Sequence, residues 1–127
     1  MTGKVLLLGC CLAMAFVAGL QQPGQCGGGN RLRLEARLSG EGTPASGKAK
    51  FEARGTRLRL SVEVEDFITA PGVAVIDVAG HTYTVNLSAA GFGDLNLDTE
   101  NGQAVPDLSG GGTVVVTSGD EQISGRF

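Results

Sequence analysis

From Arg31 onward, apolar and polar residues alternate with a period of two, and this limits the fold more than any other feature of the chain. In "RLRLEARL" one face carries Leu32, Leu34, Ala36 and Leu38, and the other carries Arg31, Arg33, Glu35 and Arg37. Side chains on an extended backbone point alternately to opposite faces, so this pattern predicts a strand with one face buried and one in water. "KAKFEAR" repeats it with Ala49, Phe51 and Ala53 inward, and "RLRLSVEVE" with Leu58, Leu60, Val62 and Val64 inward. No stretch after residue 30 has helical periodicity or a helix cap.

Turn signals divide the rest into short segments. "GEGTPASG" (Gly40 to Gly47) has loop composition, Gly55-Thr56 is a two-residue hairpin turn, and Pro71-Gly72 is another turn. "VAVIDVA" (Val73 to Ala79) is apolar on both faces apart from Asp77, so it is expected as a central strand. Ala79-Gly80 turns it into "HTYTVNL". "GDLNLDT" and "QAV" flank Glu100-Asn101-Gly102, and Asn-Gly is a strong hairpin signal, so a return strand ending at Pro106 is expected. "TVVVTS" and "EQISGRF" should pair across Gly119-Asp120. The expectation is an all-β, antiparallel, Greek-key-like β-sandwich of about seven or eight short strands spanning residues 31–127.

The start of the chain has a different character. One basic residue, Lys4, precedes 16 uncharged residues, Val5 to Leu20, that end in small side chains. That order is expected of a secretory signal helix, with residues 1–19 as signal peptide and 20–30 as a Gly-rich leader. A permanent span needs about 20 apolar residues, so an uncleaved anchor fits less well. The product is therefore expected outside the cytoplasm: extracellular, periplasmic or at the cell surface. Cys10 and Cys11 would leave with the signal, and Cys26 would remain alone. No intrachain disulfide is then available, and Cys26 is a lipidation candidate with a "GGGN" tether behind it. The membrane would be reached only through the signal or such a lipid.

Taken together, "LEARLSGEGTPASGKAKFEARGTRLRLSVEVEDF", "GFGDLNLDTENGQAVPDL" and the closing "ISGRF" resemble a type of small all-β unit found in exported bacterial proteins. More loosely, "ARLSG", "ASGKAKF" and "LRLSVEVEDF" are similar to the CHRD domain, the chordin-type β-sandwich. The resemblance implies a β-sandwich and no particular catalytic activity.

Several chemistries can be weighed residue by residue. Asp94, Asn96, Asp98 and Glu100 invite a calcium- or metal-stabilised reading. An EF-hand loop starting at Asp94 would need Gly at its sixth position and Glu at its twelfth, where the chain has Thr99 and Val105. Leu95 and Leu97 alternate with the polar residues, so a solvated strand face is expected instead, and no cofactor or metal is assigned. A small hydrolase would have to use His81, the only histidine, oriented by Asp77 or Asp98. No serine stands in a G-x-S-x-G setting, so no enzyme activity is expected. With no Trp and 5% aromatic residues, neither sugar platforms nor base-stacking surfaces are expected, and nucleic acid is set aside.

Charge is the more informative feature. Residues 31–59 hold eight bases and three acids, a net charge of +5; residues 60–127 hold one base and ten acids, a net charge of −9. If the first three strands are neighbours, their outer face is basic. The functional expectation is an exported, non-catalytic module for adhesion, assembly or envelope structure. Its contacts with an anionic polymer or protein partner, or with another copy, would be Arg31, Arg33, Arg37, Lys48, Lys50, Arg57 and Arg59.

Overall fold

The computed structural model describes residues 31–68 and 72–127. The expected signal, the leader and Cys26 lie outside the described residues. Eight strands follow in chain order: β1 (Arg31–Ser39), β2 (Ser46–Arg54), β3 (Arg57–Glu65), β4 (Val73–Val78), β5 (His81–Asn86), β6 (Gly93–Asp98), β7 (Thr113–Ser118) and β8 (Glu121–Arg126). A 3-10 turn, Thr99–Asn101, follows β6. The all-β antiparallel class expected from the alternation is present.

The strands form one sheet in the order β5-β4-β7-β8-β1-β2-β3-β6. Local hairpins account for β2–β3, β4–β5 and β7–β8. Three further ladders join distant parts of the chain: β1 pairs with β8 at Ser39 and Ser124, β3 pairs with β6 from Arg59 and Asp98 to Val64 and Gly93, and β4 pairs with β7 from Val75 and Thr117 to Val78 and Val114. The sheet is nearly closed, because its end strands β5 and β6 are joined by a short connection and meet where it turns. A Cβ on Gly93 would stand 2.9 Å from the Asn86 carbonyl oxygen. The connection needs glycine at position 91. Its φ is +78°, and a Cβ there would come within 2.1 Å of the Phe67 carbonyl oxygen.

The inward faces make one core. Leu38, Phe51, Leu60, Val62, Val64, Ile76, Val78, Val114, Val116 and Ile123 are fully buried. Each contributes about 1.5–3 kcal/mol by leaving water. β4 is an interior strand, as expected from its apolar run. β4 is apolar on both faces but buried on only one: Val73 and Val75 are 42% and 44% exposed. It is paired on both sides within the sheet, yet no layer covers its outer face among the described residues.

One expectation fails after β6. Gln103 to Val105 is not a strand. The backbone of β6 pairs with β3 on one side. On the other, the chain passes through the 3-10 turn and Gly102, at φ 79° and ψ 10°. Only Gln103 returns: its amide donates to the Asp98 carbonyl (3.4 Å), and its side-chain Oε1 accepts from the Asp98 amide (3.1 Å). The chain then runs without regular structure to β7.

One acid is buried. Glu121, at the start of β8, is 6% exposed. Its Oε1 accepts from the Ile68 amide at 2.7 Å, and its Oε2 accepts from the Thr43 hydroxyl. A single carboxylate thus ties the β1–β2 loop and the segment after β3 to the β7–β8 turn.

Candidate binding face

Alternation turns every second side chain of β1, β2, β3 and β6 outward, and the registers decide which of them meet. Across β2 and β3, Glu52 stands opposite Arg59; across β3 and β6, Arg59 stands opposite Asp98. Arg33 on β1 reaches the same row, with Nε donating to Glu52 Oε2 at 3.3 Å. Arg59 lies between two acids, 3.6 Å from Glu52 Oε1 and 3.5 Å from Asp98 Oδ2.

Asp98 receives the strongest contact. Arg57 Nε donates to Oδ1 at 3.1 Å and Arg57 Nη2 to Oδ2 at 2.6 Å, a two-pronged guanidinium–carboxylate pair. The Glu100 amide adds a bond to Oδ1 at 3.0 Å, which also caps the 3-10 turn. The Arg57 hydrogen bonds, then the Glu100 amide, then the charges of Arg57 and Arg59 hold the Asp98 carboxyl well below the usual carboxylate range, at about 2. The Arg57 guanidinium is pushed upward by the same pair, chiefly through its hydrogen bond to Asp98. Arg57 is also 3.5 Å from Glu100. Two carboxylates, Glu52 and Asp98, therefore hold three arginines in fixed positions.

Two shallow grooves cross this face. One, of about 470 Å³, is lined by Arg33, Lys50, Glu52, Arg59, Asn96 and Asp98, among others. The other, of about 430 Å³, has Arg37 and Lys48 on one side and Glu63, Glu65 and the half-exposed Phe92 on the other. The seven basic residues singled out from sequence thus fall on three neighbouring strands. Arg33, Lys50 and Arg59 share one groove, Arg37 and Lys48 share the other, Arg57 faces Asp98 and Glu100, and Arg31 begins β1.

The acidic residues singled out from sequence are distributed differently. Asp94 accepts from Asn96 Nδ2 at 2.7 Å, while Asp98 and Glu100 turn to Arg57. Asp98 is not on a solvated face as the alternation suggested; its side chain is only 14% exposed, because the arginines of β3 cover it. Among the described residues, no group of three or more His, Cys, Asp or Glu side chains gathers as a metal site. His81 is exposed at the start of β5, and Asp77 Oδ1 accepts from the Gly80 amide at 3.0 Å, closing the turn between them.

Sequence reasoning missed that Glu52 and Asp98 organise the arginines. The signal was present as sign complementarity: "RLRLS" and "DLNLD" share one alternation, and their outward charges oppose when the strands run antiparallel. No protein-family model and no curated protein sequence matches this chain.

Proposed function

We propose that this chain is an exported, non-catalytic module for adhesion, assembly or envelope structure, which holds an anionic polymer or protein on its charged sheet face. The nearly closed sheet serves as a Greek-key-like sandwich scaffold, and residues 1–19 direct export ahead of a Gly-rich leader. The observation that carries the reading is the adjacency of β1, β2 and β3, which collects the basic side chains on one surface. Within that surface the roles differ. Asp98 and Glu100 engage Arg57, and Glu52 and Asp98 flank Arg59, so these two act as a border; Arg33 also meets Glu52, but its side chain stays 70% exposed. The contacts with an anion fall on β1 and β2: Arg31, Arg33, Arg37, Lys48 and Lys50. Their outer row is open to solvent, and the shallow grooves fit an extended chain better than an enclosed small molecule.

The test is retention on immobilised dextran sulfate across a salt gradient. Exposed charges are screened over about 10 Å at 0.1 M salt, so binding should weaken steeply as salt rises. Lys48→Glu with Lys50→Glu should abolish retention, whereas Thr117→Glu, on the other half of the sheet, should change it little. Retention that survives the Lys48/Lys50 exchange sinks this reading.

A further inference from the structure

The two end strands of the sheet are treated unequally. β6 is covered by its own chain: Gly93 abuts Asn86, Gln103 exchanges two hydrogen bonds with Asp98, and Asp94 and Asp98 place charges along it. Charges and covering segments are the usual means by which an end strand is kept from pairing with another chain. Among the described residues, β5 has neither between His81 and Thr84. "HTYT" contains no Lys, Arg, Asp, Glu or Pro, and Gly93 touches β5 only around Val85 to Leu87.

The backbone of β5 is set for pairing on its open side. Ala79 and Gly80, both at positive φ, form a two-residue turn that makes Val78 and His81 a hydrogen-bonded pair. By the antiparallel alternation, His81, Tyr83 and Val85 then direct their N–H and C=O groups toward β4, and the Leu87 amide continues this parity by donating to the Gly72 carbonyl at 2.8 Å. Thr82 and Thr84 direct theirs away from the sheet.

We propose that β5 is the contact surface for a second copy of this chain, pairing antiparallel with the same strand about a twofold axis at Tyr83. The local sequence is self-complementary in that arrangement. Thr-Tyr-Thr reads the same in both directions, so Thr82 of each copy faces Thr84 of the other, and the two residues exchange N–H···O=C bonds. Their exposed side chains form threonine pairs across the join, a favourable cross-strand combination. Val75 stands opposite Thr84 and Asp77 opposite Thr82, so across each threonine pair the row of Asp77 would continue into the row of Val75 of the second copy, without a like-charge contact. The proposal is independent of the anion-binding reading, which concerns the other end of the sheet.

Sedimentation equilibrium of the full chain tests it, with circular dichroism melting to show that each variant folds. The wild type should show a concentration-dependent monomer–dimer equilibrium. Thr82→Lys with Thr84→Lys places lysines directly opposite one another and should weaken association by roughly a hundredfold or more. Thr117→Lys, on the same outer face but two strands from the edge, should associate like the wild type. A wild type that stays monomeric at the highest soluble concentration overturns the proposal. So does association that persists in the double variant, as it would through any other part of the chain. Equal loss in Thr117→Lys also overturns it, because the face and not the edge would then be the contact.

Discussion

Two rows of outward side chains, one in each half of the sheet, make an instructive contrast. Across β1, β2, β3 and β6 the row reads Arg33, Glu52, Arg59, Asp98; across β5, β4, β7 and β8 it reads Thr84, Val75, Thr117, Gln122. The inner faces beneath them are equally apolar. In the first row each charge has a neighbour of opposite sign, so a slip of β6 along β3 would cost ion pairs as well as packing. In the second row no such discrimination exists, and tight turns at Ala79-Gly80 and Gly119-Asp120 hold the register instead. One half is specified by side-chain sign and the other by loop geometry. The outer face of the first half is rich in paired charge, while that of the second carries only Asp77 and Arg126 among the Asp, Glu, Lys and Arg of its strands, so the proposed anion contact falls on the first and the proposed self-contact on the second.

The largest expected effect tests whether the halves depend on one core. Phe51→Ala in β2 and Ile76→Ala in β4 each leave a cavity beneath one half, with costs of about 3–5 and 2–5 kcal/mol. Urea unfolding followed by circular dichroism and by Tyr83 fluorescence should give one coincident transition in both variants. Separate transitions would show that the halves unfold independently and would break the picture of a shared core.

A smaller effect is expected at Glu121, the buried acid at the start of β8. Glu121→Ala leaves the Ile68 amide and the Thr43 hydroxyl without this acceptor, a loss of about 1–3 kcal/mol in chemical denaturation. Glu121→Gln retains an acceptor and should lose less. Equal losses would assign the effect to packing and not to the hydrogen bonds.

The smallest effect concerns pH. Because the folded pKa of Asp98 lies near 2, below the 3.8 of an unperturbed aspartate, its carboxylate form stabilises the fold. That contribution is present in full above the unfolded value and is lost as pH falls through about 2. Stability of Asp98→Asn, measured by denaturation between pH 5 and 2, should fall less with acid than the wild type. The Thr117→Asn variant should keep the wild-type slope. Parallel slopes for Asp98→Asn and wild type would remove Asp98 from the acid response.

These contrasts also explain what could be read from the chain before its structure. β1, β2 and β3 were legible because Leu60, Val62 and Val64 alternate with Arg59, Ser61 and Glu63, and alternation is a local property. β4 was legible as an interior strand from its apolar run, but that Val73 and Val75 stay exposed follows only from the absence of a covering layer among the described residues. The Gln103–Val105 return strand was expected from Asn101-Gly102, a strong local signal. β6 instead pairs with β3, some 35 residues earlier in the chain. For the same reason, the basic residues of the candidate face were visible while their acidic partners were not. Glu52 and Asp98 became meaningful only when the β3–β6 ladder brought them to Arg59.

That ladder and the β1–β8 pair have a kinetic consequence. The hairpins β1–β2, β2–β3, β4–β5 and β7–β8 can zip locally, but Ser39 finds Ser124 only after nearly the whole sheet-forming sequence is available. Closing so long a segment costs chain entropy before any contact repays it, so the last step of folding should be slow and should set the rate. Until β8 arrives, the edge of β1 stays open and its leucines stay wet. During that interval the alternating arginines of "RLRLEARL" would keep a half-made sheet soluble, so the charges that mark the proposed binding face would also guard the chain while it folds.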